Sequence, residues 1–189
     1  ISMRLYALVA LFLVILAGAL TSSLFGSYQG MERERKAGLE SMTQTAVGIL
    51  SQYYRLEQSA TLTKEAAQQQ AKAAISAMRY ENGNGYFWIN DMGPKMIMHP
   101  VKPELNGTDL TANKDPNGKQ LFVEFVNTVK AGGKGFVDYY WPKPGSPDPV
   151  EKFSHVAGFA PWGWIVGTGV YVDDLKAAFW GEALWIAGI

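Results

Sequence analysis

The residue types that most often carry out catalysis are few in this sequence, and they are not clustered. There are two histidines, His99 and His155, and their separation matches no common metal-binding spacing. The absence of cysteine excludes thiol catalysis, a Cys-ligated zinc site and a disulfide framework. No Gly-x-Ser-x-Gly elbow occurs, and NGNG at 82–85 lacks the lysine of a phosphate loop. The sequence therefore favours a binding protein over an enzyme, and it predicts no cofactor and no metal.

A long apolar segment lies near the N-terminus. Residues 5–25 carry no charged side chain and are almost entirely hydrophobic. About 20 such residues are enough to cross a bilayer as a helix. The apolar part of a cleavable signal peptide is shorter, about 7–15 residues, and ends at a small-residue site that is not evident here. Residues 1–27 are therefore predicted to form a membrane-spanning helix, with a signal peptide as the alternative.

A second apolar segment, AAFWGEALWIAGI, follows Lys176 and contains one charge, at Glu182. Because it is too short to cross a bilayer, residues 176–189 are predicted to begin a second, truncated span, with an amphipathic C-terminal helix as the alternative. Two spans would enclose residues 28–175 as one domain outside the membrane. The formal net charge is +0, from 17 basic and 17 acidic residues, so there is no sign of the basic surface of a nucleic-acid-binding protein.

Two helices are predicted over residues 28–80. Apolar residues spaced three and four apart mark one face of the first helix: Leu39, Met42, Ala46, Ile49, Tyr53 and Leu56. Such a face packs either within the chain or against a second subunit. The segment SATLT ends the pattern, and Thr63 is a suitable N-cap for an alanine-rich second helix over 64–78.

Residues 81–175 have the pattern of strands and turns, beginning at ENGNG. Five strands are predicted, at 86–91, 95–100, 135–141, 149–159 and 162–172, with the first two as an antiparallel hairpin. A polar loop of about twenty residues and a helix that starts near Leu121 separate the second and third strands. This order predicts an α+β domain. A five-stranded antiparallel sheet would have the long helices on one face and a cavity, covered by the loop and the inserted helix, on the other.

Five segments of the sequence, taken in order, resemble the single Cache sensory domain, of the sCache_2 type, found in bacterial methyl-accepting chemotaxis receptors. They are YFWIND, MIMHPVKPELNG, KDPNGKQLFVEFV, GFVDYYWPKPG and PWGWIVGTGVYVDDL. No single segment is specific, but their order, their spacing and the apolar segments on either side are specific together. The resemblance covers about residues 30–175.

The resemblance implies a PAS-like sheet domain that senses a small molecule in the periplasm or outside the cell, anchored in the bacterial inner membrane. The implied ligands are short-chain carboxylates such as acetate, propionate, pyruvate or lactate. The domain would pass its signal to the second membrane helix, and such receptors usually work as homodimers. The sensory domain of a histidine kinase or of a cyclic-dinucleotide enzyme is the alternative, followed by a membrane-anchored envelope enzyme.

A pocket for a small carboxylate needs cationic or hydrogen-bonding donors, because an unpaired buried carboxylate is costly. Arg79 lies at the end of the second helix, and arginine binds carboxylates through two parallel hydrogen bonds. Lys152 interrupts an apolar strand, and His99 lies where the long loop begins. The alternatives are a solvated cation at a helix end for Arg79, an exposed strand residue for Lys152 and a structural group for His99.

Aromatic and apolar side chains would form the walls of such a pocket. Tyr86 and Trp88 share one face of the first predicted strand, and they face either the pocket or the helices. Tyr139 is the expected hydroxyl donor. The complete set of predicted ligand contacts is Arg79, Tyr86, Trp88, Met98, His99, Phe122, Phe125, Tyr139 and Lys152.

Overall fold

A computed structural model describes the backbone of residues 2–187 and the side chains of residues 5–181. Of the predicted C-terminal span, residues 188–189 and the side chains after residue 181 lie outside the described part. In chain order the helices and strands are α1 (Ser2–Gln58), α2 (Lys64–Ala77), β1 (Arg79–Tyr80), β2 (Gly85–Asp91), β3 (Met96–Met98), α3 (Leu121–Gly132), β4 (Lys134–Pro142), β5 (Pro149–Phe159), β6 (Trp164–Tyr171) and α4 (Val172–Ala187).

Helix α1 runs without a break from the apolar N-terminal segment into the domain. Residues 5–27 leave their side chains exposed. Among the described residues, α1 is the one helix long and apolar enough to cross a membrane. At 1.5 Å per residue it is roughly 85 Å long, well beyond the roughly 30 Å hydrocarbon core of a bilayer. The same helix can therefore cross a membrane and support the sheet.

The part of α1 after residue 38 packs within the chain, against α2 and the sheet. Its fully buried residues are Leu39, Thr43, Ala46 and Leu50, whereas Met42 and Ile49 of the predicted apolar face are only partly buried. Helix α2 begins as predicted, because Oγ1 of Thr63 accepts a hydrogen bond from the backbone N–H of Ala66. It contributes Ala67, Ala71 and Ile75 to the same core.

The sheet is antiparallel, in the order β1-β2-β6-β5-β4, and β3 also pairs with β2. The predicted strands are all present, and the two-residue strand β1 is additional. Alternation along the strands separates two faces. The helix face packs against α1 and α2 and contains Phe87 and Ile89, whereas the cavity face packs against α3 and contains Tyr86 and Trp88. The predicted α+β fold is confirmed.

The roof loop, residues 99–120, is fastened over the cavity face by Asp115. This buried carboxylate accepts hydrogen bonds from the backbone N–H groups of Asn117 and Lys119 within the loop. It also accepts one from the backbone N–H of Tyr140 in β4. Leu110 of the loop is buried in the core under it. The loop is therefore held to the edge of the sheet where Tyr139 and Trp141 lie.

At Gly167 of β6 the ring of Trp88 lies directly against the sheet backbone. A methyl group at this residue would lie 2.3 Å from Cζ2 of Trp88. We expect Gly167→Ala to lower the free energy of unfolding of the domain by about 1–3 kcal/mol, because extra volume in a packed core forces side chains out of their preferred rotamers. Thermal unfolding of the chain in detergent micelles measures this change.

The matched control is Gly48→Ala in the exposed face of α1, where nothing lies within 4 Å of an added methyl group. This substitution should be neutral or stabilising by up to about 1 kcal/mol, because alanine favours the helix. Equal effects of the two substitutions would contradict the close packing of Trp88 on Gly167.

Candidate ligand-binding site

A small cavity lies between the cavity face of the sheet and α3. Its lining residues are Tyr86, Trp88, His99, Leu121, Phe122, Phe125, Tyr139 and Trp141. The rings of Phe125 and Tyr139 meet edge to face with centroids 5.2 Å apart, and those of Phe122 and Trp141 do so at 5.8 Å. The cavity volume is about 10 Å³, which is close to the minimum that admits one water molecule. Only a very small molecule fits here without large movements of these rings.

Six of the nine predicted ligand contacts line this cavity: Tyr86, Trp88, His99, Phe122, Phe125 and Tyr139. Lys152 is not among the lining residues, but its Nζ lies 4.1 Å from the ring centroid of Tyr86, which is one of them. Met98 and Arg79 lie elsewhere. Met98 pairs directly with Ile89 across β2 and β3, and opposed residues point to the same face, so Met98 packs in the core on the helix face. Arg79 is exposed, and its guanidinium donates to the backbone carbonyls of Ser76 and Met78 at the end of α2.

Lys152 is the buried cationic residue of the site. Its side chain is 0% exposed, and Nζ lies 4.1 Å from the ring centroid of Tyr86, 4.6 Å from that of Tyr171 and 5.8 Å from that of Trp88. Nζ also donates to the hydroxyl of Tyr171 at 3.5 Å. Burial lowers the pKa of Lys152 to about 7, and the carboxylate of Glu81 opposes this shift. In the described part of the chain, no carboxylate oxygen lies within 4.0 Å of Nζ.

His99 is a neutral hydrogen-bond donor in the cavity wall. Its Nδ1 accepts hydrogen bonds from the backbone N–H groups of Val101 (3.2 Å) and Lys102 (2.9 Å). Because Nδ1 is an acceptor, the ring proton is assigned to Nε2. Burial lowers the pKa of His99 to about 3, and the charges of Lys152 and Lys102 add to this effect. The turn at the start of the roof loop therefore determines which nitrogen can donate.

The hydroxyl of Tyr86 has no hydrogen-bond partner among the described residues, although it is completely buried. By contrast, Tyr139 shares a hydrogen bond with Oγ of Ser154 at 2.9 Å, and Tyr171 donates to the carbonyl of Pro142 at 2.9 Å. Burial raises the pKa of each of these tyrosines, so all three stay protonated. Leaving a buried hydroxyl unpaired costs about 1–3 kcal/mol, and an acceptor bound in the cavity would remove this cost.

Three residues of the site were not in the predicted set: Leu121, Trp141 and Tyr171. Trp141 could have been found from alternation, since it shares a face of β4 with Tyr139. Tyr171 could not have been found in this way, because it meets Lys152 only through the pairing of β5 with β6. The registers of β5 with its two neighbours place Lys152 opposite both Tyr139 and Tyr171. Those registers depend on how the strands assemble.

Comparison with known protein families identifies the domain. Residues 31–185 match the family described as Single Cache domain 2. This chain belongs to that family. The predicted family is thus confirmed, and with it the prediction of a sensory Cache domain rather than an enzyme.

Two curated relatives are similar to this chain over the Cache domain. The methyl-accepting chemotaxis protein McpP of Pseudomonas putida is 52% identical over 138 residues, which are 73% of this chain and 25% of McpP. The sensor histidine kinase MctS of Rhizobium johnstonii is 34% identical over 149 residues, which are 79% of this chain and 31% of MctS. The chain therefore spans about a quarter to a third of the length of these relatives.

Solved structures show the same Cache fold. A Cache chemosensory domain studied for carboxylic acid recognition is 49% identical, with a TM-score of 0.73, and the match covers 76% of this chain and 97% of that one. The periplasmic sensor domain of a chemotaxis protein is 47% identical, with a TM-score of 0.73 and coverage of 75% and 98%. A methyl-accepting chemotaxis protein from Vibrio parahaemolyticus is 28% identical, with a TM-score of 0.71 and coverage of 81% and 99%.

Proposed function

We propose that this Cache domain is the extracytoplasmic sensor of a chemotaxis receptor and that it binds a short-chain carboxylate beside Lys152. The observation that carries the proposal is a fully buried ammonium group with no carboxylate within 4.0 Å among the described residues. An unpaired buried charge is costly, and a bound carboxylate would supply the missing counter-ion. The Nε2–H of His99 and the hydroxyl of Tyr86 would donate to its oxygens.

The aromatic walls of the cavity support the smallest organic acids, namely acetate, propionate, pyruvate or lactate. Because a cavity of about 10 Å³ barely admits one water molecule, the rings would have to move apart when such an acid binds. The relative at 49% identity, studied for carboxylic acid recognition, supports the same class of ligand.

The site is connected to α4, which would begin the second membrane span. Tyr171, which accepts the hydrogen bond of Lys152, is followed directly by the first residue of α4. Lys143 forms ion pairs with Asp173 (2.8 Å) and Asp174 (2.6 Å) in the first turn of that helix. A ligand that favours one position of Lys152 and Tyr171 would thereby shift α4, provided that its affinity differs between the two states.

The receptor would lie in the bacterial inner membrane with this domain in the periplasm, and it would function as a homodimer. A groove along α1 and α4 supports the dimer, because its apolar lining, Leu20, Leu24, Met31, Leu39, Met42 and Phe179, suits a helix of a second copy. Chemotaxis is the preferred output because McpP is the more similar relative. The similarity to MctS supports a histidine kinase as the second candidate.

The proposed ligand class is tested by thermal unfolding of the 189-residue chain in detergent micelles with propionate, propionamide or 1-propanol. A ligand at 100 times its dissociation constant stabilises the folded state by about 2.7 kcal/mol. We expect propionate to raise the unfolding temperature and the two uncharged molecules of similar size to have no effect. Equal shifts with all three would contradict recognition of a carboxylate. No shift with any acid of two or three carbons would contradict the proposed ligand class.

A further inference from the structure

We propose that Lys152 forms a reversible imine with 2-oxo acids, so that this site treats a 2-oxo acid differently from the corresponding hydroxy acid. The proposal rests on the proposed function, because the acid must enter the same site. It starts from the position of Nζ, which is completely buried against the rings of Tyr86 and Tyr171. The ring of Tyr86 also lines the cavity. Within the described residues, no carboxylate lies close enough to hold this amine as an ammonium ion.

The surroundings of Lys152 favour the neutral amine, which is the nucleophilic form. Burial lowers its pKa from 10.5 to about 7, so roughly half of the molecules carry a neutral amine at pH 7. Desolvation of this kind is the general means by which lysine is activated for Schiff-base formation. The hydrogen bond to the Tyr171 hydroxyl restricts the position of Nζ.

The reaction needs no oxidant, reductant or cofactor. The lone pair of Nζ attacks the keto carbon and forms a C–N bond, while the π electrons of the C=O bond move to oxygen, which takes up a proton given up by the nitrogen. The hydroxyl of the carbinolamine takes up a proton from the solvent and leaves as water, while the lone pair of the nitrogen forms the C=N bond, so that the product is the protonated imine. Hydrolysis returns the amine and the acid.

The site suits the product as well as the free acid. The protonated imine carries one positive charge at nitrogen, next to the carboxylate on the neighbouring carbon. The Nε2–H of His99 and the otherwise unpaired hydroxyl of Tyr86 are available to that carboxylate. A hydroxy acid such as lactate can form the ion pair and the hydrogen bonds but has no carbonyl carbon to attack. We therefore expect pyruvate, but not lactate, to form a covalent bond with Lys152.

Reductive trapping tests the imine on the 189-residue chain in detergent micelles. The protein is incubated with pyruvate or with lactate in the presence of sodium cyanoborohydride and analysed by intact-mass and peptide mass spectrometry. We expect pyruvate to add the mass of pyruvic acid less one oxygen atom, on the peptide that contains Lys152. Lactate should add nothing, and excess acetate should suppress the pyruvate adduct by occupying the same site. Exposed lysines such as Lys64 and Lys95 serve as internal controls.

The outcomes separate this inference from the proposed function. If pyruvate raises the unfolding temperature but leaves no adduct on Lys152, the imine is refuted and the carboxylate sensor stands. If adducts form equally on Lys64, Lys95 and Lys152, or if acetate does not suppress them, the imine at this site is also refuted. If neither an adduct nor a thermal shift occurs with any of the acids, both proposals fail.

Discussion

Replacing Lys152 with methionine should strongly weaken carboxylate binding and at the same time stabilise the ligand-free domain. Removing one partner of a buried, hydrogen-bonded charge pair costs about 2–5 kcal/mol, so we expect the dissociation constant for propionate to rise by at least about thirtyfold. In the absence of ligand, methionine fills a similar volume without a buried charge. Replacing buried ions by apolar residues is often stabilising, by about 1–4 kcal/mol. Isothermal titration calorimetry measures the first effect and thermal unfolding the second.

Lys134→Met is the matched control for this experiment. Lys134 is exposed and forms an ion pair with Glu40 of α1, away from the cavity. An exposed ion pair contributes about 0–1 kcal/mol, so this variant should bind propionate as the unmodified chain does and lose little stability. Retention of full affinity in Lys152→Met would contradict the role of the ammonium group as counter-ion. A loss of several kcal/mol of stability in that variant would contradict the cost assigned to the buried charge.

The affinity for carboxylates should fall, and the stability of the ligand-free domain should rise, as the pH increases from 7 to 9. The pKa of Lys152 is about 7 in the folded domain and 10.5 for an ordinary lysine, so the unfolded chain binds more protons in this window. Stability then rises with pH, by up to about 1.4 kcal/mol per unit. Binding of an anion requires the ammonium form, so the dissociation constant rises by up to about tenfold per unit. Calorimetry and thermal unfolding at pH 7, 8 and 9 measure the two slopes.

The other ionisable groups that face Lys152 should not obscure these slopes. Tyr86 from β2, Tyr139 from β4 and Tyr171 from β6 stay protonated because burial raises their pKa values. His99 stays neutral because burial lowers its pKa to about 3. Burial also raises the pKa of Glu81, and the charge of Arg35 opposes this shift. Both slopes should therefore disappear in the Lys152→Met variant. A slope that persists in that variant would come from another ionisable group.

Local patterns in the sequence were sufficient to predict the helices and strands of the domain. The alternation of Tyr86 and Trp88 with Phe87 and Ile89 correctly separated the two faces of β2, because successive side chains of a strand must point in opposite directions. Thr63 correctly marked the start of α2 for a reason just as local, since an N-cap bonds to an N–H three residues away. The resemblance of the ordered motifs then predicted the family.

The sequence by itself thus determined the apolar N-terminal segment, the α+β fold, the family and the residue types available for an anion site. Only the tertiary structure decided which of those residues meet. Lys152 and Arg79 are both cations in strands, yet the register of β5 between β4 and β6 buries Lys152 against aromatic rings. Arg79 stays exposed in the edge strand β1 and donates to carbonyls at the end of α2. Met98 and His99 are adjacent in sequence, but they lie on opposite sides of the sheet. Strand register and sheet order arise from contacts between distant segments, and no local pattern contains them.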